Sequence, residues 1–179
     1  RISANVSGLF GTTRISLNDN LLDRTSPEGV QAVLAHEIGH YALNHAPKML
    51  IGFGIIILIG FAFVSWSFDK LNKPAWGVRN ISDIAGLPLL LAIFSVYIFL
   101  MTPAVNSLIR INEIEADVFG LNAARQPDGF AEAILGLSEY RKMNPGDWEE
   151  ILFFDHPSGY NRIHMAMQWK KENLAAPKE

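Results

Sequence analysis

His36-Glu37-Ile38-Gly39-His40 is the stretch on which the reading of this sequence turns. In a helix, residues four apart lie on one face, so the two imidazoles point the same way. Two histidines so placed can grip one zinc ion, and Glu37 stands beside them as a candidate general base. The flanking residues agree with a helix. Thr25-Ser26-Pro27-Glu28 announces its start: Thr25 with Glu28 makes a capping box, and Pro27 suits a first turn. Val30, Val33, Leu34 and Ile38 supply an apolar face. The helix is expected to run from about Pro27 to His45. His45 falls nine residues after His36, rotates off the metal face, and reads as an end-of-helix histidine suited to the dipole.

A catalytic zinc takes three protein ligands and leaves a position open. The chain has no cysteine, so thiolate sites and disulfides are excluded and any metal must use His, Asp or Glu. Asn112-Glu113-Ile114-Glu115-Ala116-Asp117 offers three carboxylates on one helical stretch. Helical rotation puts Glu113 and Asp117 on one face and turns Glu115 nearly opposite. Glu113 is therefore the expected third ligand, with Asp117 placed to accept a hydrogen bond from a ligand histidine. Glu115 is the alternative should Glu113 fail.

The chain has 179 residues, of which 49% are apolar and only 18% charged. A net charge of −3 and a pI near 6.0 give no reason to expect nucleic acid. The apolar residues are unevenly placed. Met49–Phe68 carries no charged residue and no histidine. As a helix it rises about 30 Å, the thickness of a bilayer's hydrocarbon core. Ile84–Ile109 is a second uncharged run, with Pro88 suited to a helix start and Pro103 expected to kink or tilt it. Two spans joined by the short loop Asp69–Asp83 form a hairpin, which returns residues before 48 and after 110 to the same side. Trp66, Trp76 and Tyr97 are candidate interface anchors, although Tyr97 lies deep enough in its run to be a core aromatic. The chain begins at Arg1 with no basic leader or cleavage signal, and reads as a piece of a longer protein.

Elsewhere the pattern is of short elements. Asn5–Leu17 reads as a strand pair broken by Gly8 and Gly11, and Asn18-Asp19-Asn20 as a turn. Helical character continues from Arg110 to Ala124. Asp128–Met143 is a further helix, Trp148–Phe154 a short one, and Ser158 caps a last one reaching about Glu172.

The paired motifs His-Glu-x-x-His and Asn-Glu-x-x-Ala-Asp resemble those of the gluzincins, the thermolysin-like zinc peptidases. More closely, the chain is similar to the membrane-integral family of the type 1 CAAX prenyl endopeptidases and their bacterial relatives. The likeness is carried by Gly8-Leu9-Phe10 with Arg14-Ile15, by the apolar hairpin between the zinc motifs, by Arg110, Glu113, Ala116 and Asp117, and by Asp155-His156-Pro157-Ser158 followed by Arg162-Ile163. It departs at Ile109, where the family usually has serine. The resemblance implies that His156 sits by the metal and can hydrogen-bond a developing oxyanion. Arg162 would orient Glu113 or a substrate carbonyl, or be a helix-face charge. The segment around Gly8 and Leu9 would bind an extended substrate by strand addition, Gly8 admitting the substrate backbone, or would simply cover the zinc helix.

The expected fold is mainly α, with gluzincin-like helices, a small N-terminal β element and a two-span transmembrane hairpin. Residues 1–47 would hold the strands and the His-Glu-x-x-His helix, 48–109 the hairpin, and 110–179 the third-ligand helix and the remaining helices. The expected cofactor is one catalytic zinc ion, and the expected partners are a peptide or protein substrate and the lipid bilayer. A bacterial inner membrane is the preferred setting, the endoplasmic reticulum the alternative. The expected activity is that of a membrane-bound zinc endopeptidase, acting on prenylated or other membrane-associated substrates. A quality-control protease of membrane proteins would use the same residues. A scaffold with a structural zinc is the reading of another class, and it conflicts with the lack of a fourth ligand and with the position of Glu37.

Overall fold

The computed structural model of the protein describes residues 4–8, 12, 14–137 and 142–174. The metal-motif helix, α2 (Pro27–Ala42), begins at Pro27 as expected, but its cap lies one residue later than expected: the Ser26 hydroxyl, not Thr25, accepts from the Gly29 N–H at 3.1 Å. Ser26 is fixed from the other side by Glu132, which accepts from its N–H at 3.1 Å. The expected turn at 18–20 is instead the start of a short helix, α1 (Asp19–Arg24). Asn18 caps it by accepting from the Leu21 N–H at 3.0 Å, and Leu21 is fully buried, so a local cap and one apolar anchor convert a turn sequence into helix.

The motif helix also stops short of His45. After Ala42 the chain passes through Leu43 and Asn44, and Asn44 adopts the left-handed conformation at φ 56°, which asparagine tolerates better than most residues. His45 then opens a new helix, α3 (His45–Leu71). Pro47 thus lies in the first turn of α3 rather than at a boundary before it, where its missing N–H costs nothing.

The second long helix, α4, runs unbroken from Leu87 to Ala124 with Pro103 inside it. It packs antiparallel along α3 through small-to-large contacts. A Cβ on Gly60 would come within 2.7 Å of the Tyr97 ring, and one on Gly52 within 2.5 Å of Leu108. Tyr97 is 4% exposed and its hydroxyl donates to the Ile56 carbonyl, so it is a hairpin core residue and not an interface anchor. Val64, Phe68 and Ile93 close the far end, with Val78 of the connecting loop against them. Two short 3-10 turns, Pro74–Trp76 and Ile84–Gly86, make up part of that loop. The outer faces are apolar and open: Leu50, Leu58, Phe61, Phe94 and Phe99 are all exposed. Only 11% of the most apolar window of α3 and 17% of that of α4 is buried, unlike the mostly buried core helix of a soluble domain. Both helices are long and apolar enough to cross a membrane.

Beyond the hairpin, α4 crosses α2 at backbone contact. A Cβ on Gly120 would lie 3.0 Å from the His36 nitrogen, and one on Gly39 would lie 3.2 Å from the Ala116 Cα. α5 (Pro127–Leu137) packs on α2, and α7 (Gly159–Asn173) packs on α5 and touches α4, around Ala32, Leu121, Phe130, Ile134, Ala166 and Trp169. The short α6 (Asp147–Phe153) is tied to α4 by Arg110, which donates to the Glu150 and Phe154 carbonyls at 2.9 and 2.6 Å. Ser158 caps α7 through the Asn161 N–H at 3.3 Å. The loop between these two helices carries His156. Strands β1 (Ala4–Ser7) and β2 (Arg14–Leu17) pair antiparallel, with Ala4 opposite Leu17, and lie beside α2.

Candidate active site

The close crossing of α2 and α4 sets the geometry. It brings His36 and His40, four apart on one helix, against Glu113 of the other. The His36 and His40 Nε2 atoms are 3.1 Å apart, and each lies 3.5 Å from a Glu113 carboxylate oxygen. Donors about 2.0–2.1 Å from one tetrahedral zinc ion would lie roughly 3.4 Å from each other, so the triangle has the size such an ion requires. Nothing but nitrogen and oxygen donors is present, two imidazoles and one carboxylate, a set that zinc accepts.

The surrounding groups reinforce that fit. Asp117, fully buried, reaches His36 Nδ1 at 2.7 Å, although the alignment falls short of a hydrogen bond. A carboxylate at that nitrogen favours the tautomer with its proton on Nδ1 and a lone pair on Nε2. Burial, reinforced by neighbouring His36, pushes the His40 imidazole down to about 4, so this ring is neutral at physiological pH. Two imidazole nitrogens and a carboxylate thus converge on one point, and a lone pair from each turned on that point is repulsive unless a cation lies between them.

Two cavities of about 420 and 460 Å³ meet at this cluster, and His36, Glu37, Glu113 and His156 line both. Glu37 faces the cleft next to the ligand cluster. His156 Nε2 lies 3.4 Å from Glu113 Oε2, while its Nδ1 lies 2.9 Å from Asp155 Oδ1. Arg162 is not a helix-face charge, since its side chain is 11% exposed. Its guanidinium grips Asp117 rather than Glu113, with Nε and Nη2 donating to the two carboxylate oxygens at 2.7 and 2.5 Å. Burial works against the charge on Arg162, but the Asp117 carboxylate outweighs it and holds the guanidinium above its ordinary pKa.

The sequence matches Peptidase family M48 over residues 1–170. The chain belongs to that family. Among its relatives is an uncharacterized metalloprotease of Bacillus subtilis, YhfN, 30% identical over 96% of this chain and 41% of that protein. A CAAX prenyl protease 1 homolog of Oryza sativa is 27% identical over 96% of this chain and 41% of its own length. The crystal structure of S. mikatae Ste24p superposes with a TM-score of 0.70 at 23% identity, covering 91% of this chain and 41% of that one, and so shares the fold. The chain therefore spans about two-fifths of the length of these relatives.

For an M48 chain a bound metal ion follows from the family, and His36, His40 and Glu113 form the metal-sized group among the described residues. Of the two residues expected to take substrate, Gly8 lines the cavity on the His40 side and has φ 102°, a conformation only glycine adopts readily. Leu9 lies outside the described residues. One neighbour was misplaced by the sequence reading. His45 does not sit at the end of the motif helix, free for its dipole. It is 2% exposed, at the head of α3, with Nδ1 2.8 Å from His40 Nδ1. Its nine-residue spacing from His36 concealed this, because the break at Asn44 resets the helical phase.

Proposed function

We propose that this chain carries the catalytic part of a membrane-embedded zinc endopeptidase. The observation that bears most weight is the convergence of three acceptor groups, from His36, His40 and Glu113, at the floor of a cleft also lined by Glu37 and His156. Zinc in a set of this kind supplies Lewis acidity, which makes water nucleophilic near neutral pH and polarises a carbonyl. Glu37 takes the proton from the attacking water and delivers it to the leaving nitrogen. Asp155 at Nδ1 orients the His156 ring, and an N–H at its Nε2 is placed to donate to the oxyanion as it forms. Arg162 contributes through Asp117, which keeps the His36 ring turned toward the centre. The two-sided cleft suits a chain that runs through it and is cut in its middle. β1 and Gly8 provide a backbone edge on one side for strand addition.

The substrates we favour are peptides held at the bilayer, prenylated ones included. Two observations support this: the open apolar faces of α3 and α4 directly below the site, and the relatives named as CAAX prenyl protease 1 homologs. Replacing Glu37→Gln is expected to keep the metal and lower hydrolysis by about 10²–10⁴-fold. Turnover like that of the unmodified chain would remove Glu37 as the base. Comparing one peptide with and without a lipid tail tests the membrane reading, which equal turnover would defeat.

A further inference from the structure

Glu115 sits on the flank of α4 turned away from Glu113, yet it is connected to the metal cluster through one buried ring. Its Oε2 lies 3.1 Å from His45 Nε2 and 2.8 Å from Lys48 Nζ. His45 Nδ1 in turn lies 2.8 Å from His40 Nδ1. A bond between two Nδ1 atoms requires that one ring carry the proton and the other not. The far end of the chain decides which. A carboxylate only accepts, so His45 must carry its proton on Nε2, and a neutral ring then has a bare Nδ1. His40 donates to it from Nδ1, and its Nε2 keeps the lone pair that faces His36 and Glu113. In most metal sites a carboxylate or a carbonyl does this directly. Here the acceptor is a second imidazole, and its own tautomer is set by a group at the protein surface.

We infer that His45 and Glu115 are positioning residues that act in series to fix His40 in its metal-binding tautomer, with Lys48 holding the Glu115 carboxylate in place. The inference rests on the metal-centre reading of the same site. It predicts a long-range effect from a half-exposed side chain that touches no ligand, Glu115 being 43% exposed.

The test is zinc affinity of the full chain, measured by competition with a chelating dye, with no substrate present. Glu115→Gln retains an acceptor oxygen and should stay within about 3-fold of the unmodified chain. Glu115→Lys offers His45 only donors, drives its proton to Nδ1 and reverses the bond to His40, so affinity should fall about 10–100-fold. A nitrogen-15 spectrum of the histidines should show the exchange of tautomers in the same variant. If the unmodified chain takes up no zinc, the metal-centre reading fails. If it does, and Glu115→Lys binds within about 3-fold of it, the relay is overturned. If Glu115→Lys also destabilises the metal-free fold, the charge-swapped pair Lys48→Glu with Glu115→Lys decides. Recovered affinity supports the relay, and affinity that stays low overturns it.

Discussion

Replacing Arg162 by leucine isolates the contact on which the His36 side of the site depends. Asp117 is fully buried and Arg162 nearly so, and the two are joined by bonds of 2.7 and 2.5 Å. Leucine fills much of the same space but leaves a carboxylate in the interior without its cation. Breaking one half of a buried pair costs about 3–5 kcal/mol. For a chain of this size each kcal/mol moves the unfolding midpoint about 2–4 °C, so a drop of roughly 6–20 °C is expected. Asp117 can escape the penalty only by taking a proton. It then no longer holds His36 as an anion does, and zinc affinity should fall about 10–100-fold. Thermal unfolding in detergent, with zinc content after dialysis against a weak chelator, reads both effects. Arg162→Lys should fall between, since an ammonium cannot make two parallel bonds to one carboxylate. Adding Asp117→Asn to Arg162→Leu should recover much of the stability and little of the affinity. An Arg162→Leu protein that melts within about 2 °C of the unmodified chain and keeps its zinc would refute the reasoning, because the uncompensated Asp117 charge must appear in one readout or the other.

Other outcomes follow from the same geometry. Glu113→Ala should leave the fold intact and reduce bound metal in elemental analysis, and an unchanged metal content would place the third ligand elsewhere. Gly120→Ala puts a methyl 3.0 Å from the His36 backbone nitrogen, and should cost about 1–3 kcal/mol by forcing α2 away from α4. Lost zinc binding together with a lowered midpoint is the expected pattern there; a tolerated alanine would show that the crossing has slack. Chelation should abolish peptide hydrolysis and added zinc restore it, whereas hydrolysis that persists after chelation would point to a different chemistry.

Much of the site was legible because helical phase is simple arithmetic within one helix. The four-residue steps from His36 to His40 and from Glu113 to Asp117 each place a pair on one face, and the structure only had to bring the two faces together. The hairpin was legible from charge-free runs whose length matches a bilayer. What stayed hidden depends on contacts between segments distant in sequence, or on single residues that break the phase. The left-handed Asn44 ended the motif helix early and carried His45 under His40. The bond from Arg162 to Asp117 spans 45 residues and leaves no periodic trace. The shift of the cap from Thr25 to Ser26 depended on Glu132, a residue on another helix.

The uninterrupted course of α4 has a mechanical consequence. One rod holds both the open apolar stretch and Glu113, while the two imidazoles that meet Glu113 belong to a separate helix. From Pro103 to Glu113 the rod extends about 15 Å, so a tilt of only 4° about the proline displaces the carboxylate by roughly 1 Å. On the proposed membrane reading, bilayer thickness, which governs how far such rods lean, is geared to the spacing of Glu113 from the two imidazoles. Reconstitution into lipids of graded acyl length would set that gear at successive positions.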